Sequence, residues 1–425
     1  MVAEIISVGT ELLLGKVVNT DTTIVAQALS GIGIDLLYAA TVGDNPERLK
    51  KAVEDALERS DLLITTGGLG PTGDDLTKET VAEASGKKLV FHQESYDRLV
   101  AQFPDKPMSE NMVKQVWLPE GCDVLLNDNG TAPGCVFKTD KGKTVMMFPG
   151  PPSELEPMLK NYAIPYLLSG DEATIVSHNI HVYGKGEAPV AMIISDLMEG
   201  VNPTVAPYAK EGEMFVRVTA KAMSEEDADE MCKPIIEEIK NRLGDCVYSV
   251  DVESLEELVV KELLASGKKI ATAESCTGGW LAKRITDISG SSEVFETGCV
   301  TYANATKEKL LGVKHETLEA HGAVSEETAR EMAEGIVKLS GADIGIGITG
   351  IAGPGGGTKE KPVGLIYIAL SDGKNTYVTA RKPFGRRKNR EWHRWCAASH
   401  ALDMVRRYLE GKEVVSLGIR NEELF

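Results

Sequence analysis

Residues 268–288, KKIATAESCTGGWLAKRITDI, place an apolar run, a turn and a helical pattern in direct succession. The segment KKIATA is typical of a buried strand, ESCTGG of a tight turn and WLAKRITDI of a helix. Main-chain N–H groups at the start of a helix point toward the preceding turn, so a nucleophile and an anion site are readily built there together. The stretch therefore predicts an α/β fold with a reactive strand-to-helix turn.

Ser275 and Cys276 are the two candidate nucleophiles of this turn. A thiol is the stronger nucleophile and a helix N-terminus lowers its pKa, but free cysteine is often a buried hydrophobic residue. Neighbouring strand residues point to opposite faces, so only one of the two faces the crevice. The pattern favours Ser275 at the exposed corner, and its alternative role is to cap the helix through its hydroxyl.

Composition limits the classes of protein to consider. The chain has 425 residues, which predicts two or three domains, and a formal net charge of −18. Such an acidic chain is a poor general nucleic-acid binder, because contacts to phosphates need a basic surface. The seven cysteines include no C-x-x-C pair, so neither a zinc site nor a disulfide framework is indicated.

The sequence also predicts where the protein works. No apolar run reaches the length of a membrane span, and the N-terminal segment carries Glu4 and Glu11 without a basic region. We therefore expect a cytoplasmic protein with no membrane contact.

The order of strand and helix patterns predicts a multidomain α/β protein. Strands and helices alternate over residues 1–168 and again over 251–415, which is typical of parallel sheets covered by helices. Residues 169–250 between them have the pattern of a small α+β module. The segment GDCVYSVDVES (244–254) is expected to be a linker.

The segment TTGGLGPTGDDLT (65–77) carries the first group of chemically active residues. It contains a literal G-x-G-x-x-G, but Pro71 and the two carboxylates disfavour a dinucleotide site. Bare carboxylates repel phosphate, so Asp74 and Asp75 predict a cation between them and an anionic ligand. Their alternative role is to cap the following helix.

Other polar groups follow neighbouring strands of the same predicted sheet. Glu11 comes after IISVG, Asp44 after YAATVG, and Asn129 precedes the segment GTAPG. The carboxyl ends of parallel strands meet at one edge of a sheet, so these groups are expected to converge on one crevice. Each of them alone is also compatible with ordinary turn chemistry.

The motifs VGTELLLGKVVNTD, TVGDN, TTGGLGPTGDDLT and MFPGPPSE, in this order, resemble the molybdopterin-binding-like domain of the CinA family. The resemblance covers about residues 1–165 and implies a three-layer α/β domain with metal-dependent ADP-ribose pyrophosphatase activity. Asp21 stands where the family often has asparagine. The resemblance implies metal-ligand candidates at Glu11, Asp44, Asp74, Asp75 and Glu154, with a divalent ion of open identity. It implies phosphate-loop candidates at Gly67, Gly68, Gly70 and Asn129.

Residues 169–250 resemble the middle module of the same family, which is similar in fold to KH domains. The acidic charge and the lack of a GXXG clamp in a basic setting disfavour RNA binding there.

The segment GCVTYANATKEKLLGV (298–313) supplies a candidate base for the serine. Lys307 follows Tyr302 in the first turn of a predicted helix, whose positive end disfavours an ammonium and lowers its pKa. The phenol of Tyr302 is a candidate to hold or relay the proton. Alternatively, Lys307 and Lys309 are solvated surface lysines. The histidines of this region lie in polar loops or in a long helix, so a Ser–His triad has no support.

A second resemblance covers residues 254–412. The motifs AESCTGG, ETGCVTYANATKEKLLGV, GAVSEETAREMAEG, GITGIAGPGGG, KPVGLIYIAL and FGRRKNR are similar to the C-terminal domain of the CinA family and to stand-alone nicotinamide-nucleotide amidohydrolases. The resemblance implies deamidation of nicotinamide mononucleotide (NMN) without a cofactor. Ser275 is then the nucleophile, Lys307 the base and Tyr302 its modulator. A homodimer is expected.

The substrate carries a phosphate, and the residues expected to bind it lie in glycine-rich loops or near the last helix. The arginines have a solvated helix face as their alternative role. The predicted substrate-binding residues are Thr277, Gly278, Gly279, Thr349, Gly350, Gly353, Arg387 and Arg390.

Two further functions are compatible with parts of the sequence. The first is a molybdenum-cofactor binding protein, which leaves residues 254–412 unexplained and rests on fold analogy. The second is a non-enzymatic adaptor in DNA uptake or repair, which the net charge of −18 disfavours.

Overall fold

The computed structural model describes residues 1–104, 107–168, 174–210, 212–382 and 389–418. The chain divides into two compact units, residues 1–177 with 219–231, and residues 178–218 with the chain from Cys232 onward. Within the described ranges, no helix combines the length and the apolar character that crossing a membrane requires.

The first α/β domain is built on a sheet with strand order β2-β1-β3-β8-β7-β6. A separate ribbon pairs β4 with β5. The strands are β1 (Val2–Val8), β2 (Asp35–Val42), β3 (Leu62–Thr66), β4 (Leu89–Phe91), β5 (Trp117–Pro119), β6 (Asp123–Leu125), β7 (Gly134–Lys138) and β8 (Thr144–Phe148). The helices are α1 (Thr10–Leu13), α2 (Asp21–Gly31), α3 (Pro46–Arg59), α4 (Thr77–Ala84), α5 (Gln93–Gln102), α6 (Glu110–Lys114), α7 (Pro152–Met158) and α8 (Ile164–Leu168).

Helices cover both faces of this sheet, as the alternation along β1 and β3 dictates. Ile5 packs in a core that contains Val25 and Leu29 of α2, whereas its neighbour Ile6 packs in a second core that contains Leu49 of α3. Successive strand residues point to opposite faces, so β1 belongs to both cores. The prediction of a three-layer α/β domain is confirmed.

The sheet is mixed rather than fully parallel. Strands β1, β2, β3 and β8 pair in parallel, but β7 is antiparallel to β8 and to β6. Residues 139–143 between β7 and β8 are too few for a parallel crossover, which needs a dozen or more. The parallel strands still align their carboxyl ends at one edge.

The middle module has a sheet with strand order β10-β11-β9-β12. Its elements are β9 (Thr174–Val182), α9 (Glu187–Ile193), β10 (Thr204–Lys210), β11 (Glu213–Ala222), α10 (Glu225–Leu243) and β12 (Val247–Val250). The expectation of a linker over residues 244–254 is wrong, because β12 lies within it and pairs antiparallel with β9. Tyr248 is buried in a shared core with Tyr183 and Leu255, so this segment is part of a folded unit.

The second α/β domain has a sheet with strand order β14-β13-β15-β16-β17. Its strands are β13 (Ile270–Glu274), β14 (Phe295–Val300), β15 (Ile344–Gly350), β16 (Ile366–Ser371) and β17 (Thr376–Arg381). Its helices are α11 (Leu255–Ser266), α12 (Trp280–Thr286), α13 (Asn304–Leu311), α14 (His315–His321), α15 (Glu326–Ser340) and α16 (Arg390–Leu409). The multidomain α/β fold is thereby confirmed.

The pairing of β13 determines where a site can form. All residues of β13 are buried, and the strand is parallel to β14 on one side and to β15 on the other. The carboxyl ends of these strands therefore meet at one edge, where the turn after β13 lies beside the loops that follow β14 and β15.

Candidate active sites

The turn that carries Ser275 is tied to both neighbouring strands. The Ser275 N–H donates to the carbonyl of Ile348 in β15 at 2.9 Å, and the Thr301 N–H donates to the carbonyl of Glu274 at 2.8 Å. These bonds extend the ladders of β13 by one residue on each side. They bring the loop after β14, which leads into α13, next to the serine.

Lys307 reaches Ser275 from α13. Its side chain is only 1% exposed, and its Nζ lies 3.2 Å from Ser275 Oγ. The same nitrogen lies 2.8 Å from the carbonyl oxygen of Thr301 and 3.3 Å from that of Tyr302. Burial lowers the pKa of Lys307, because the charged form loses its hydration. The interpretation of Lys307 as a solvated surface lysine is wrong, whereas Lys309 is exposed.

The structure also separates Ser275 from Cys276. The Cys276 side chain is 4% exposed and packs in the main core of the domain, and burial raises the pKa of its thiol to about 12. A thiol with that pKa is not a nucleophile near neutral pH. The residue that caps α12 is Gly279, in a left-handed conformation with φ 90°, so Ser275 does not cap this helix.

Tyr302 contacts Lys307 through its main chain. Its side chain is 60% exposed, and its hydroxyl accepts a hydrogen bond from Arg390 Nη2 at 3.0 Å. The phenol is thus directed to an arginine, and the carbonyl is the group that lies at the lysine nitrogen. Arg390 Nη1 also donates to the carbonyl of Gly353 at 2.9 Å, so this arginine links the loops that follow β14 and β15.

Of the other predicted binding residues that the structure describes, three are glycines and two are threonines. Gly278 and Gly279 lie in the Ser275 turn, while Gly350 ends β15. Thr277 and Thr349 are almost fully buried, and the Thr349 hydroxyl donates to the carbonyl of Ala323 at 2.6 Å. The last candidate, Arg387, lies outside the described residues.

Arg394 is a site residue that the sequence interpretation missed. Its guanidinium donates to the Thr277 carbonyl from Nε at 3.1 Å and from Nη2 at 2.7 Å, and it lies 5.0 Å from the ring centre of Trp280. Arg394 therefore holds the part of the Ser275 turn between Thr277 and Trp280 in place. The sequence offered one signal: Arg394 lies one helical turn after Arg390 on α16.

The second candidate site is a cleft of about 530 Å³ in the first domain, at the carboxyl ends of β1, β2, β3 and β8. All the predicted metal-ligand residues and the three predicted phosphate-loop glycines line it, and Asn129 does not. Its described lining carries six carboxyl groups and neither lysine nor arginine. They belong to Glu11, Asp21, Asp44, Asp74, Asp75 and Glu154.

The acidic residues of this cleft are held by their own loops. The Thr72 hydroxyl donates to Asp74, which lowers the pKa of that carboxyl, and the Thr72 N–H donates to Asp75 Oδ2 at 2.8 Å. Asp44 Oδ2 accepts from the Thr10 N–H at 2.9 Å. Helix α4 begins after Leu76 with no side-chain cap, so neither aspartate caps it.

Three further residues in or near the cleft are Gly67, Asn129 and Asp21. Gly67 allows the loop after β3 to approach β1, since a Cβ there would lie 2.3 Å from the Val8 carbonyl oxygen. Asn129 instead donates from its side-chain amide to the Ser153 carbonyl at 2.7 Å. Asp21 is 8% exposed, and burial raises its pKa.

Comparisons with known proteins identify the family. Residues 4–169 match a probable molybdopterin binding domain, residues 177–249 the damage-inducible protein CinA KH domain, and residues 252–409 the CinA C-terminal domain. A CinA-like protein of Desulfovibrio desulfuricans is 53% identical over 414 residues, 97% of both chains. A putative competence-damage inducible protein of Acetivibrio thermocellus is 50% identical over 412 residues, 96% of this chain and 99% of that one.

The chain belongs to the CinA family. One solved structure of a CinA relative, a competence/damage inducible protein of Agrobacterium tumefaciens, is 41% identical and covers 37% of this chain and 93% of its own, with a TM-score of 0.35.

The acidic cleft of this CinA chain can be tested for the divalent ion that the resemblance implies. Among the residues that the structure describes, no group of three or more His, Cys, Asp or Glu side chains lies close enough to hold a metal alone. Magnesium is commonly held by one or two carboxylates, with waters and ligand phosphates completing its coordination. Asp74, which is exposed, and its neighbour Asp75 fit a magnesium ion that is held by two carboxylates and completed by water and ligand phosphates.

Proposed function

We propose that the C-terminal domain is an amidohydrolase that converts nicotinamide mononucleotide to nicotinate mononucleotide and ammonia. The observation that carries the proposal is the contact between Lys307 Nζ and Ser275 Oγ at 3.2 Å in a buried setting. The substrate assignment rests on the resemblance to nicotinamide-nucleotide amidohydrolases.

The first step is acylation of Ser275. Neutral Lys307 takes the Ser275 proton while Oγ attacks the carboxamide carbon, and the carbonyl oxygen becomes an oxyanion. Main-chain N–H groups stabilise that charge. Collapse of the tetrahedral intermediate breaks the C–N bond. The proton on Lys307 passes to the leaving nitrogen, and ammonia departs.

The second step is hydrolysis of the acyl-enzyme. Lys307, neutral again, removes a proton from a water molecule that attacks the ester carbon. The ester bond to Ser275 breaks, Oγ regains the proton from Lys307, and the carboxylate product leaves. The same base thus serves both halves of the reaction.

Arg390 supports binding of the substrate phosphate. Its contacts to Tyr302 and Gly353 leave further guanidinium N–H donors at the mouth of the site, and guanidinium matches phosphate geometry. Arg394 is engaged at Thr277 and serves the turn itself.

The direct test is incubation of the pure protein with nicotinamide mononucleotide, with ammonia and nicotinate mononucleotide as the measured products. Release of both in equal amounts, lost in Ser275→Ala, supports the proposal. A folded wild-type protein that leaves the carboxamide intact contradicts it.

We also propose that the acidic cleft hydrolyses the pyrophosphate of ADP-ribose. The supporting observation is the excess of carboxyl groups in a cleft without a cationic side chain among its described lining residues. The carboxylates of such a cleft repel an anionic ligand, and a bound cation would offset that repulsion. A divalent ion, when bound by Asp74 and Asp75, would neutralise charge on the two phosphates, and Gly67, Gly68 and Gly70 let the main chain approach them.

The competing functions give different results in the same assays. Incubation with ADP-ribose and magnesium is expected to yield AMP and ribose 5-phosphate. Tight binding of a molybdopterin with no hydrolysis would favour a cofactor-binding role. A DNA mobility shift at physiological salt would favour the adaptor role.

A further inference from the structure

The last residue of β13, Glu274, is a fully engaged buried carboxylate. Its side chain is 1% exposed. Its Oε2 accepts hydrogen bonds from the N–H groups of Gly279 at 3.0 Å and Leu281 at 3.2 Å, and its Oε1 accepts one from Ala282 at 2.8 Å. Such a carboxylate is stable without a lysine or arginine partner, because charge-assisted bonds to main-chain N–H groups compensate for its lost hydration.

We propose that Glu274 is the positioning residue of the Ser275 turn and that it determines which N–H groups stabilise the oxyanion. The inference rests on the proposed serine hydrolase and names a part of the same site. Glu274 touches neither substrate nor reacting atom and acts through the main chain.

The positioning role follows from what Glu274 connects. Its carbonyl accepts the Thr301 N–H at 2.8 Å, and its carboxylate holds the first turn of α12. The carbonyl and the carboxylate of Glu274 therefore hold the turn that begins at Ser275. The position of Ser275 Oγ relative to Lys307 Nζ depends on these hydrogen bonds, and a displacement of about 1 Å can lower a rate about 100-fold.

The oxyanion role follows by elimination among the N–H groups of the turn. Glu274 occupies the first N–H groups of α12, and its negative charge disfavours a second anion there. Other donors of the turn are bonded to main-chain carbonyls: Ser275 to Ile348, Gly278 to Ser275, and Trp280 to Thr277.

Two N–H groups remain, those of Cys276 and Thr277; within the described chain neither donates to another residue, and the Cys276 N–H contacts only its own thiol. They follow the nucleophile directly, and the N–H after a nucleophilic serine is the usual oxyanion donor at a strand-to-helix turn. The N–H groups of Cys276 and Thr277 are thus the donors available to the carbonyl oxygen of the substrate carboxamide. The substrate phosphate has to bind away from the start of α12.

The test compares Glu274→Gln with Asp403→Asn in the full chain. An amide at 274 keeps the shape but replaces one acceptor oxygen with an N–H donor. Asp403 is a control for the loss of a buried carboxylate outside the Ser275 turn: it is fully buried, its Oδ2 accepts the Leu417 N–H at 2.7 Å, and its Oδ1 pairs with Arg406. We expect Glu274→Gln to lower kcat about 100-fold with little change in KM. Asp403→Asn should lower only the melting temperature.

A second readout makes the test independent of the substrate. Phenylmethanesulfonyl fluoride sulfonylates an activated serine and releases fluoride, and mass spectrometry locates the adduct. Labelling of Ser275 should slow in Glu274→Gln in proportion to kcat. If the wild type is labelled but does not hydrolyse the mononucleotide, the substrate assignment fails while the positioning role is still decided by the labelling rate.

Each outcome decides the proposal. A folded Glu274→Gln with wild-type kcat and labelling rate overturns it, and so does a wild type in which Ser275 neither reacts with the reagent nor hydrolyses the mononucleotide. If Glu274→Gln does not fold, Glu274→Asp is tested instead. Aspartate keeps the charge, but its side chain is one methylene shorter, so the carboxylate lies farther from the N–H groups of α12. A reduced kcat at unchanged KM then supports the role, and a wild-type kcat overturns it.

Discussion

The Lys307 nitrogen lies 3.2 Å from the Ser275 hydroxyl oxygen, and its other contacts are carbonyl oxygens of Thr301 and Tyr302. A neutral amine has two N–H donors and one lone pair. Two carbonyls and one hydroxyl satisfy these groups completely. No carboxylate of the described residues forms an ion pair with Lys307, so its surroundings favour the form that accepts the serine proton.

Removal of either reacting group should abolish deamidation. Ser275→Ala and Lys307→Ala are each expected to lower kcat on the order of 10²- to 10⁴-fold, since the first lacks the nucleophile and the second its base. The matched controls are Cys276→Ala and Lys309→Ala, of which the latter changes an exposed lysine of the same helix. Ammonia release is the measurement. An inactive, folded Cys276→Ala beside an active Ser275→Ala would reverse the assignment.

The rate of deamidation should rise with pH. The neutral form of Lys307 is the active base, and burial lowers its pKa. The rate therefore increases as pH passes through that lowered value and levels off below the ordinary lysine pKa of about 10.4. A profile of kcat/KM against pH measures it. A rising limb centred at or above about pH 10.4 would show that the pKa of Lys307 is not lowered.

The same lysine should make stability depend on pH. Below the folded pKa of Lys307 both states carry its proton, and the folded state bears the full cost of a buried charge. Between that value and about 10.4 the unfolded state binds more protons, so the free energy of unfolding rises with pH. Lys307→Met lacks this effect. The wild type is expected to gain stability relative to Lys307→Met between neutral pH and pH 10, as measured by urea unfolding. A constant difference would contradict the shift.

The sequence predicted the elements around Ser275 because their signals are local. An apolar run, two glycines and a helical pattern specify strand, turn and helix within a few residues, and Lys307 lies near the start of α13, which begins at Asn304. The choice between Ser275 and Cys276 needed burial, which depends on how α16 and the sheet pack. Only the fold shows that Cys276 lies in the core.

Other contacts could not be predicted because they join distant parts of the chain. The Tyr302 hydroxyl meets Arg390, which is 88 positions later, and Arg394 meets Thr277 across 117 positions. The segment around Tyr248 looked like a linker because β12 is only four residues long. Pairing with β9 stabilises β12 as a strand, and no local sequence pattern predicts that pairing.

Chelation should separate the two proposed activities. EDTA is expected to abolish hydrolysis of ADP-ribose, because the carboxylates of the cleft need a divalent ion to accept phosphate, and to leave deamidation unchanged. Asp74→Asn and Asp75→Asn should each weaken the first activity at least about tenfold. Asp128→Asn is the control, since Asp128 pairs with Arg98 and does not line the cleft. Loss of both activities on chelation, or of neither, would contradict the separation.

Fragments should show that stability and catalysis have different boundaries in the C-terminal unit. The residues proposed to react, to bind the substrate or to hold the Ser275 turn lie between Glu274 and Arg394, so a fragment of residues 251–425 contains the site. That fragment lacks Tyr183 and Tyr248, which share the core of Leu255, and it loses the 2.8 Å hydrogen bond between Tyr183 and His400 Nδ1.

We therefore expect residues 251–425 to unfold at a lower temperature than residues 174–425, because removal of a large buried aromatic side chain costs about 3–5 kcal/mol. Deamidation per folded molecule should be equal in the two fragments. Thermal unfolding by circular dichroism and ammonia release at a temperature where both are folded are the measurements. Equal unfolding temperatures would show that the middle module does not stabilise this core. A folded but inactive short fragment would show that residues before 251 contribute to the site.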